Sequence, residues 1–441
     1  MAERAPGVAT LEAAPPTAVT PGAPAAGGTG VAGRGQGRAS LWSIGTALAG
    51  QGALLLSGPL VARSLGVVDR GHLAMVVLIP LLVTQVCQLG LPNAVTWALA
   101  GGNGKGHGAL ARPTVAAIAA QLAASAVLHA VAALAFTVGA PGPVRAVALA
   151  SLPTTPAVLA HVYALAVLQG RRRFGPFNLL RTLPAVLYAA TTLVLFVTGT
   201  GSLATITAAW SGSSALVAVV CIRVAATAHG PLPTGAAGAG PRELAGYALR
   251  GWLGSMSPLE TFRLDQLVVG LVVSPSALGL YAVGSSFSNL PRFVAQSLGA
   301  IAFPAVAAET DEAAARRRVW RSALAGAAAC GVVVAAIAAV APVALPVLFG
   351  AEFRPAVGIT QLLLVGALLT GVRRVLADGL RGLGRPGAGT VAEVATWVAL
   401  LAALAVLVPT LGVRGAAIGF TVAAAAGLAV AVGGVARAGG R

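Results

Sequence analysis

The stretch Ala323–Leu348, ALAGAAACGVVVAAIAAVAPVALPVL, contains no charged residue. A helix rises about 1.5 Å per residue, so ~20 apolar residues cross the hydrocarbon of a bilayer. This run is long enough to cross and too apolar to cover a water-facing surface. It follows a basic cluster, Arg316-Arg317-Arg318 with Arg321, and ends at Leu348-Phe349-Gly350. A charged entrance and a glycine exit are the marks of one membrane span read from its cytoplasmic end.

The rest of the chain repeats that pattern. Of 441 residues, 57% are hydrophobic and 9% charged, and mean hydropathy is +0.86. A soluble domain is about 25% charged, so these figures exclude a soluble multi-domain enzyme and also disorder over the whole length. Aromatic residues are only 5% and no apolar/polar alternation runs through the chain, which excludes a transmembrane barrel. The reading that remains is an all-α polytopic membrane protein with about 12 transmembrane helices. The predicted spans are 41–62, 72–99, 113–138, 144–169, 177–198, 203–226, 248–273, 276–305, 320–348, 357–380, 388–409 and 411–436. Most connections are short and closed by Gly or Pro, as in Ala140-Pro141-Gly142-Pro143. The expected organisation is a disordered cytoplasmic arm over 1–40, a six-helix bundle over 41–226, a cytoplasmic linker over 227–247 and a second six-helix bundle over 248–437. The arm is rich in Pro, Ala, Gly and Thr and lacks the apolar centre of a signal peptide.

Net charge is +17, yet nucleic acid is not the implied partner, because the charges follow the membrane. With both termini cytoplasmic, about 20 of the Lys and Arg residues fall on the inner side. About five fall in the outer loops: Arg63, Arg70, Arg145, Arg354 and Arg414. Only Lys105 is a lysine, and heavy Ala, Gly and Arg usage fits a GC-rich bacterial genome. The expected location is therefore a bacterial cell (plasma) membrane, multi-pass, with anionic headgroups as neighbours. Cys87, Cys221 and Cys330 lie in apolar stretches and read as small buried hydrophobes.

The halves resemble each other at a constant offset. Gly71 matches Gly279, Ala74 matches Ala282 and Gln88 matches Gln296. Equivalent ends stay on the same side, so the two bundles are expected to be related by a pseudo-two-fold axis along the membrane normal, with a site between them.

Ordered motifs carry a family resemblance. Ala62-Arg63-Ser64-Leu65-Gly66, then Gly71 and Gln88-Leu89-Gly90-Leu91, resemble the first two spans of polysaccharide flippases. Gly279-Leu280-Tyr281-Ala282-Val283 with Phe303-Pro304 resembles their seventh and eighth spans, and Leu348-Phe349-Gly350-Ala351-Glu352-Phe353 the loop before the tenth. Leu411-Gly412-Val413-Arg414-Gly415-Ala416-Ala417-Ile418-Gly419 is similar to their last hairpin. The family is the oligosaccharide/polysaccharide branch of the multidrug/oligosaccharidyl-lipid/polysaccharide exporter superfamily, which includes O-antigen flippases. The resemblance implies a two-lobed fold of twelve helices. It also implies transfer of a polyprenyl-pyrophosphate-linked oligosaccharide from the cytoplasmic to the outer leaflet by alternating access, with glycan polymerases or glycosyltransferases as partners. Lipid II flippases look similar but carry additional C-terminal helices.

Charged residues within spans mark the candidate site, because a charge at the bilayer centre costs at least ~2.5–3.5 kcal/mol and faces a cavity or a partner. The seventh span holds Glu260, Arg263 and Asp265, the eighth Arg292, and the tenth Arg373, Arg374 and Asp378. The first half offers only uncharged polar groups, Gln85, Gln88 and Asn93. Arg263, Arg292, Gln88, Arg373 and Arg374 are the expected substrate-binding residues, since a guanidinium grips pyrophosphate bidentately and keeps its charge. Glu260 and Asp265 are the expected ion-coupling groups, for protons or sodium. The competing readings are a Glu260–Arg263 structural pair and a snorkelling Arg374–Asp378 pair. Asp265 sits well round an ideal helix from Arg263, so the two need not share a face. Glu393 is expected at the interface.

No cofactor, metal motif or phosphate loop is present, so an enzyme is not expected. Two alternatives compete with a flippase. An ion-coupled organic-cation antiporter of the same superfamily is disfavoured by midplane arginines, which repel cations. A membrane-embedded glycosyltransferase is disfavoured by outer loops too short for a catalytic domain.

Overall fold

The computed structural model describes residues 33–100, 110–227, 240–252, 257, 259 and 261–437. These fold into helices, since helices satisfy every backbone group within one segment, as an apolar solvent demands. The first lobe comprises α1 (Gly33–Gln88), α2 (Leu91–Ala100), α3 (Arg112–Phe136), α4 (Gly142–Ala150), α5 (Thr154–Gly170), α6 (Phe174–Val197) and α7 (Leu203–Thr227). After α8 (Pro241–Trp252), the second lobe comprises α9 (Leu264–Val268), α10 (Pro275–Ala307), α11 (Glu312–Phe349), α12 (Ala356–Gly382) and α13 (Pro386–Ala436). A π-helical turn, Val269–Val273, extends α9.

Among the described residues, eight helices are long and apolar enough to cross a membrane. Two of them, α1 and α13, each supply two spans by folding back at a glycine. Gly66 (φ 70°) and Gly412 (φ 56°) take left-handed backbone that a Cβ would oppose. Beyond the second bend the arms run antiparallel: a Cβ on Gly415 would lie 2.1 Å from the carbonyl oxygen of Leu407, and one on Gly419 3.4 Å from Ala403. The Gly415/Gly419 pair thus closes its own hairpin. The fourth span is α4 and α5, interrupted at Ser151–Pro153. His129 bridges that break, with Nδ1 2.6 Å from Thr155 Oγ1 and Nε2 3.2 Å from the carbonyl of Ala148. It is a core histidine. The architecture is the two-lobed, twelve-helix one.

The seventh span departs from expectation. The sequence reads as one helix over 248–273, but the described residues between α8 and α9, namely 257, 259 and 261–263, are not helical. Arg242 and Glu243 keep α8 out of hydrocarbon, so it packs on the first lobe by one face. Tyr247 stacks on Trp97 at 4.7 Å between ring centres, and Leu244 and Ala248 join Val83, Leu159 and Tyr163. Arg263, just before α9, adopts φ 46° and ψ 47°, a left-handed conformation that costs a non-glycine residue about 1 kcal/mol or more. Glu260 lies outside the described residues.

The lobes meet at the Gly66 end. Gly71 on α1 abuts Pro275 at the start of α10, and Gly279 on α10 abuts Val67. Arg63 adds a second seam: its Nε donates to the Leu348 carbonyl at 2.9 Å and its guanidinium also to Val347. Both carbonyls belong to the open C-terminal turn of α11, where a cation is favoured.

Candidate functional site

Behind this seam the lobes line an open cavity of about 860 Å³, within the range of small-molecule sites. Gln51, Ser57 and Arg70 of α1, Tyr188 of α6 and Trp210 of α7 line it from the first lobe. Arg263 and Gln266, with Ser285, Ser286 and Asn289 of α10, line it from the second. The remaining wall is apolar, including Leu54, Leu81, Phe293 and Val332.

A side chamber of about 40 Å³ adjoins it, sharing Arg263, Gln266, Ser285 and Asn289 and adding Asp265, Ser288, Arg292 and Thr370. At ~10–15 Å³ per water it has room for a few waters. Asp265 is 3% exposed. Its Oδ2 accepts from the Tyr281 hydroxyl at 2.5 Å, while its Oδ1 has no hydrogen-bond partner among the described residues. Gln266 Nε2 donates to Ser285 Oγ at 2.8 Å, tying α9 to α10. Arg263 and Asp265 share this chamber although an ideal helix would turn them apart. The left-handed residue at position 263 is the reason: the backbone there is not helical.

Arg70 corrects the sequence reading twice. It was expected in an outer loop, and the first half was expected to contribute no charge to the site. It lies instead inside α1, on the cavity wall, close enough to Arg263 and Tyr188 to interact electrostatically. Its Nε is buried with no partner among the described residues. The missed signal is helical spacing. Arg70, Leu73, Ala74, Val77, Leu78 and Leu81 all line the cavity, the i, i+3, i+4, i+7 pattern of one helix face. The polar run Asp69-Arg70-Gly71-His72 disguised it as a loop. Two guanidinium groups, one from each lobe, thus face a common, mostly apolar space. Such a pair suits a compact polyanion, which each fork can hold bidentately.

A family model described as polysaccharide biosynthesis protein matches residues 60–358. The chain belongs to that family. The chain shares its fold with solved transporters. The lipid II flippase MurJ in an inward closed conformation matches at TM-score 0.71, with 12% identity, over 89% of this chain and 87% of that one. An inward-facing multidrug resistance transporter of the MATE family, in the MOP superfamily, matches at 0.63, with 15% identity, over 88% and 95%. A MOP superfamily transporter from Pyrococcus furiosus, described as having a binding pocket of reverse polarity, matches at 0.54, with 13% identity, over 91% and 95%. At such identities the likeness is one of fold. No curated protein matches the sequence.

The structure distributes the other expected site residues differently. Arg292 lines the side chamber and not the large cavity. Gln88 is the last residue of α1 and lines neither. Arg373 is 5% exposed and pairs with Glu393, so the expected interfacial Glu393 is instead a partly buried partner joining α12 to α13. Arg373 also packs on Gly427, whose Cβ would come 2.9 Å from its Cδ. Arg374 lines neither cavity. Asp378, one turn from Arg374, also has Arg381 at 3.2 Å. The tenth-span charges thus lie in the packing of the second lobe, where removing one partner of a buried pair is costly.

Proposed function

We propose that this chain is a flippase that moves a polyprenyl-pyrophosphate-linked oligosaccharide from the cytoplasmic to the outer leaflet for cell-surface polysaccharide assembly. The observation that carries this reading is the pair Arg70 and Arg263, one from each lobe, facing one cavity in a member of a polysaccharide biosynthesis family. With the termini cytoplasmic, as the arginine bias favours, the sealed Gly66 end is the outer face and the cavity belongs to the loading side.

The arginines explain how loading leads to release. In the sealed state they lie within electrostatic range of each other, so a pyrophosphate contacts both and screens their repulsion. Opening the outer seam separates the lobes, and with them the two arginines. Affinity for the anion then falls, and a ligand that binds two states unequally shifts the equilibrium and is released from the weaker one. Asp265, buried in a chamber that adjoins the cavity, is the group we assign to coupling with protons or sodium. An organic-cation antiporter is disfavoured because both cavity charges, Arg70 and Arg263, repel such a cargo.

The test is leaflet transfer of a fluorescent polyprenyl-pyrophosphate saccharide in proteoliposomes. Transfer by the wild type that is lost in Arg70→Ala/Arg263→Ala, with the variant still folded, supports the proposal. Absence of transfer under any pH or sodium gradient, together with efflux of cationic dyes, would overturn it.

A further inference from the structure

We infer that Trp210, with Tyr188 lining the same cavity, is a stacking platform for a sugar ring of the transported headgroup; this rests on the flippase reading above. Trp210 stands on the first-lobe wall of the large cavity. Two other tryptophans have aromatic neighbours: Trp97 stacks on Tyr247, and Trp397 meets Phe262 edge-on at 5.5 Å. Among the described residues, Trp210 has neither a ring partner nor a hydrogen bond for its indole N–H. A half-buried indole on a cavity wall offers an occupant an apolar ring with a polar N–H edge. The platform is also fastened: the hydroxyl of Thr154, at the start of α5, donates to Ser211 Oγ at 2.8 Å, next to Trp210 on α7.

The surroundings select the chemical class. A pyranose presents a flat C–H face, a rim of hydroxyls and, in a lipid-linked saccharide, a phosphate at one end. The cavity presents an indole and a phenol on one wall, the amides and hydroxyls of Gln266, Ser285, Ser286 and Asn289 on the other, and Arg70 close to Tyr188. Each feature of the sugar phosphate therefore has a counterpart. An isoprenoid chain would leave the amides and hydroxyls unsatisfied at a cost. An organic cation would suit the rings but would meet two arginines.

The experiment compares binding of two probes to the purified full chain in nanodiscs: polyprenyl diphosphate, and the same lipid carrying a single hexose. The wild type is expected to bind the glycosylated lipid more tightly, by about tenfold. Trp210→Leu should abolish that preference and leave affinity for bare polyprenyl diphosphate unchanged, while Trp210→Phe should keep most of it. Arg70→Ala should weaken both probes alike. A preference that survives Trp210→Leu, or a wild type without preference that still binds both lipids, would overturn the stacking platform alone. A wild type that binds neither lipid would overturn the flippase reading and the platform with it.

Discussion

Gly71 of the first lobe and Gly279 of the second pack backbone against backbone across the seam. A Cβ on Gly71 would lie 1.7 Å from the carbonyl oxygen of Pro275, and one on Gly279 would lie 2.2 Å from that of Val67. They are also equivalent positions of the two halves, so the pseudo-two-fold axis brings each repeat's glycine against its counterpart. The clash involves main-chain atoms of both lobes, which cannot rotate away. Gly71→Ala should therefore prop this end open. With a single cysteine at Ser286, modification by a membrane-impermeant thiol reagent added from the Gly66 side should rise several-fold in Gly71→Ala, and transport should fall. Unchanged labelling would show that the seam tolerates a side chain.

The two cavity arginines should behave alike although they come from different lobes. A hydrogen-bonded contact to a charged group contributes about 1.5–3 kcal/mol, so Arg70→Ala or Arg263→Ala should weaken pyrophosphate-lipid binding by about tenfold to a hundredfold. Lysine at either position keeps the charge but loses the fork and should recover only part of the affinity. Titration of the wild type and the two variants of each residue with the same fluorescent lipid measures this.

Arg373 and Glu393 should matter for stability. Removing one member leaves the other charge buried and unpaired, at about 3–5 kcal/mol, so Arg373→Ala should lower the thermal midpoint in detergent markedly. Arg373→Leu/Glu393→Leu removes both charges and should restore much of it. Transport by the folded double variant should stay near the wild-type level; its loss would return Arg373 to the substrate path.

Asp265 should govern coupling. Asp265→Asn keeps the size of the side chain and removes its charge, so transfer down a substrate gradient should persist while stimulation by a proton or sodium gradient disappears. Tyr281→Phe removes the donor to Oδ2 and should weaken that stimulation without abolishing it. Transfer rates with and without an imposed gradient decide the matter.

The reading of site residues succeeded or failed according to how local the evidence was. Arg263 and Asp265 stood out as charges in an apolar run, and both line a cavity. Arg373 stood out in the same way, yet it points into the packing between α12 and α13. Hydrophobicity along the chain marks a charge that requires a partner and does not say whether the partner is a carboxylate or a cargo. Arg70 failed in the opposite sense. Its polar neighbours resemble a loop, and only the bend at Gly66, one turn earlier, carries the chain back into the lobe and sets Arg70 on the cavity face. The broken seventh span was hidden too, since a left-handed arginine at position 263 is a strained choice that neighbouring residues alone do not favour.

Sequence by itself determined the class, the twelve-span two-lobed architecture and the family. These rest on properties summed over some twenty residues at a time and on motifs repeated in order along the chain, which need no knowledge of distant contacts. Tertiary structure alone decided which charges share a cavity, which are consumed in packing, and that a glycine from each half seals one end. Those outcomes depend on the approach of helices far apart in the chain, where one ångström of backbone separation decides whether a side chain fits.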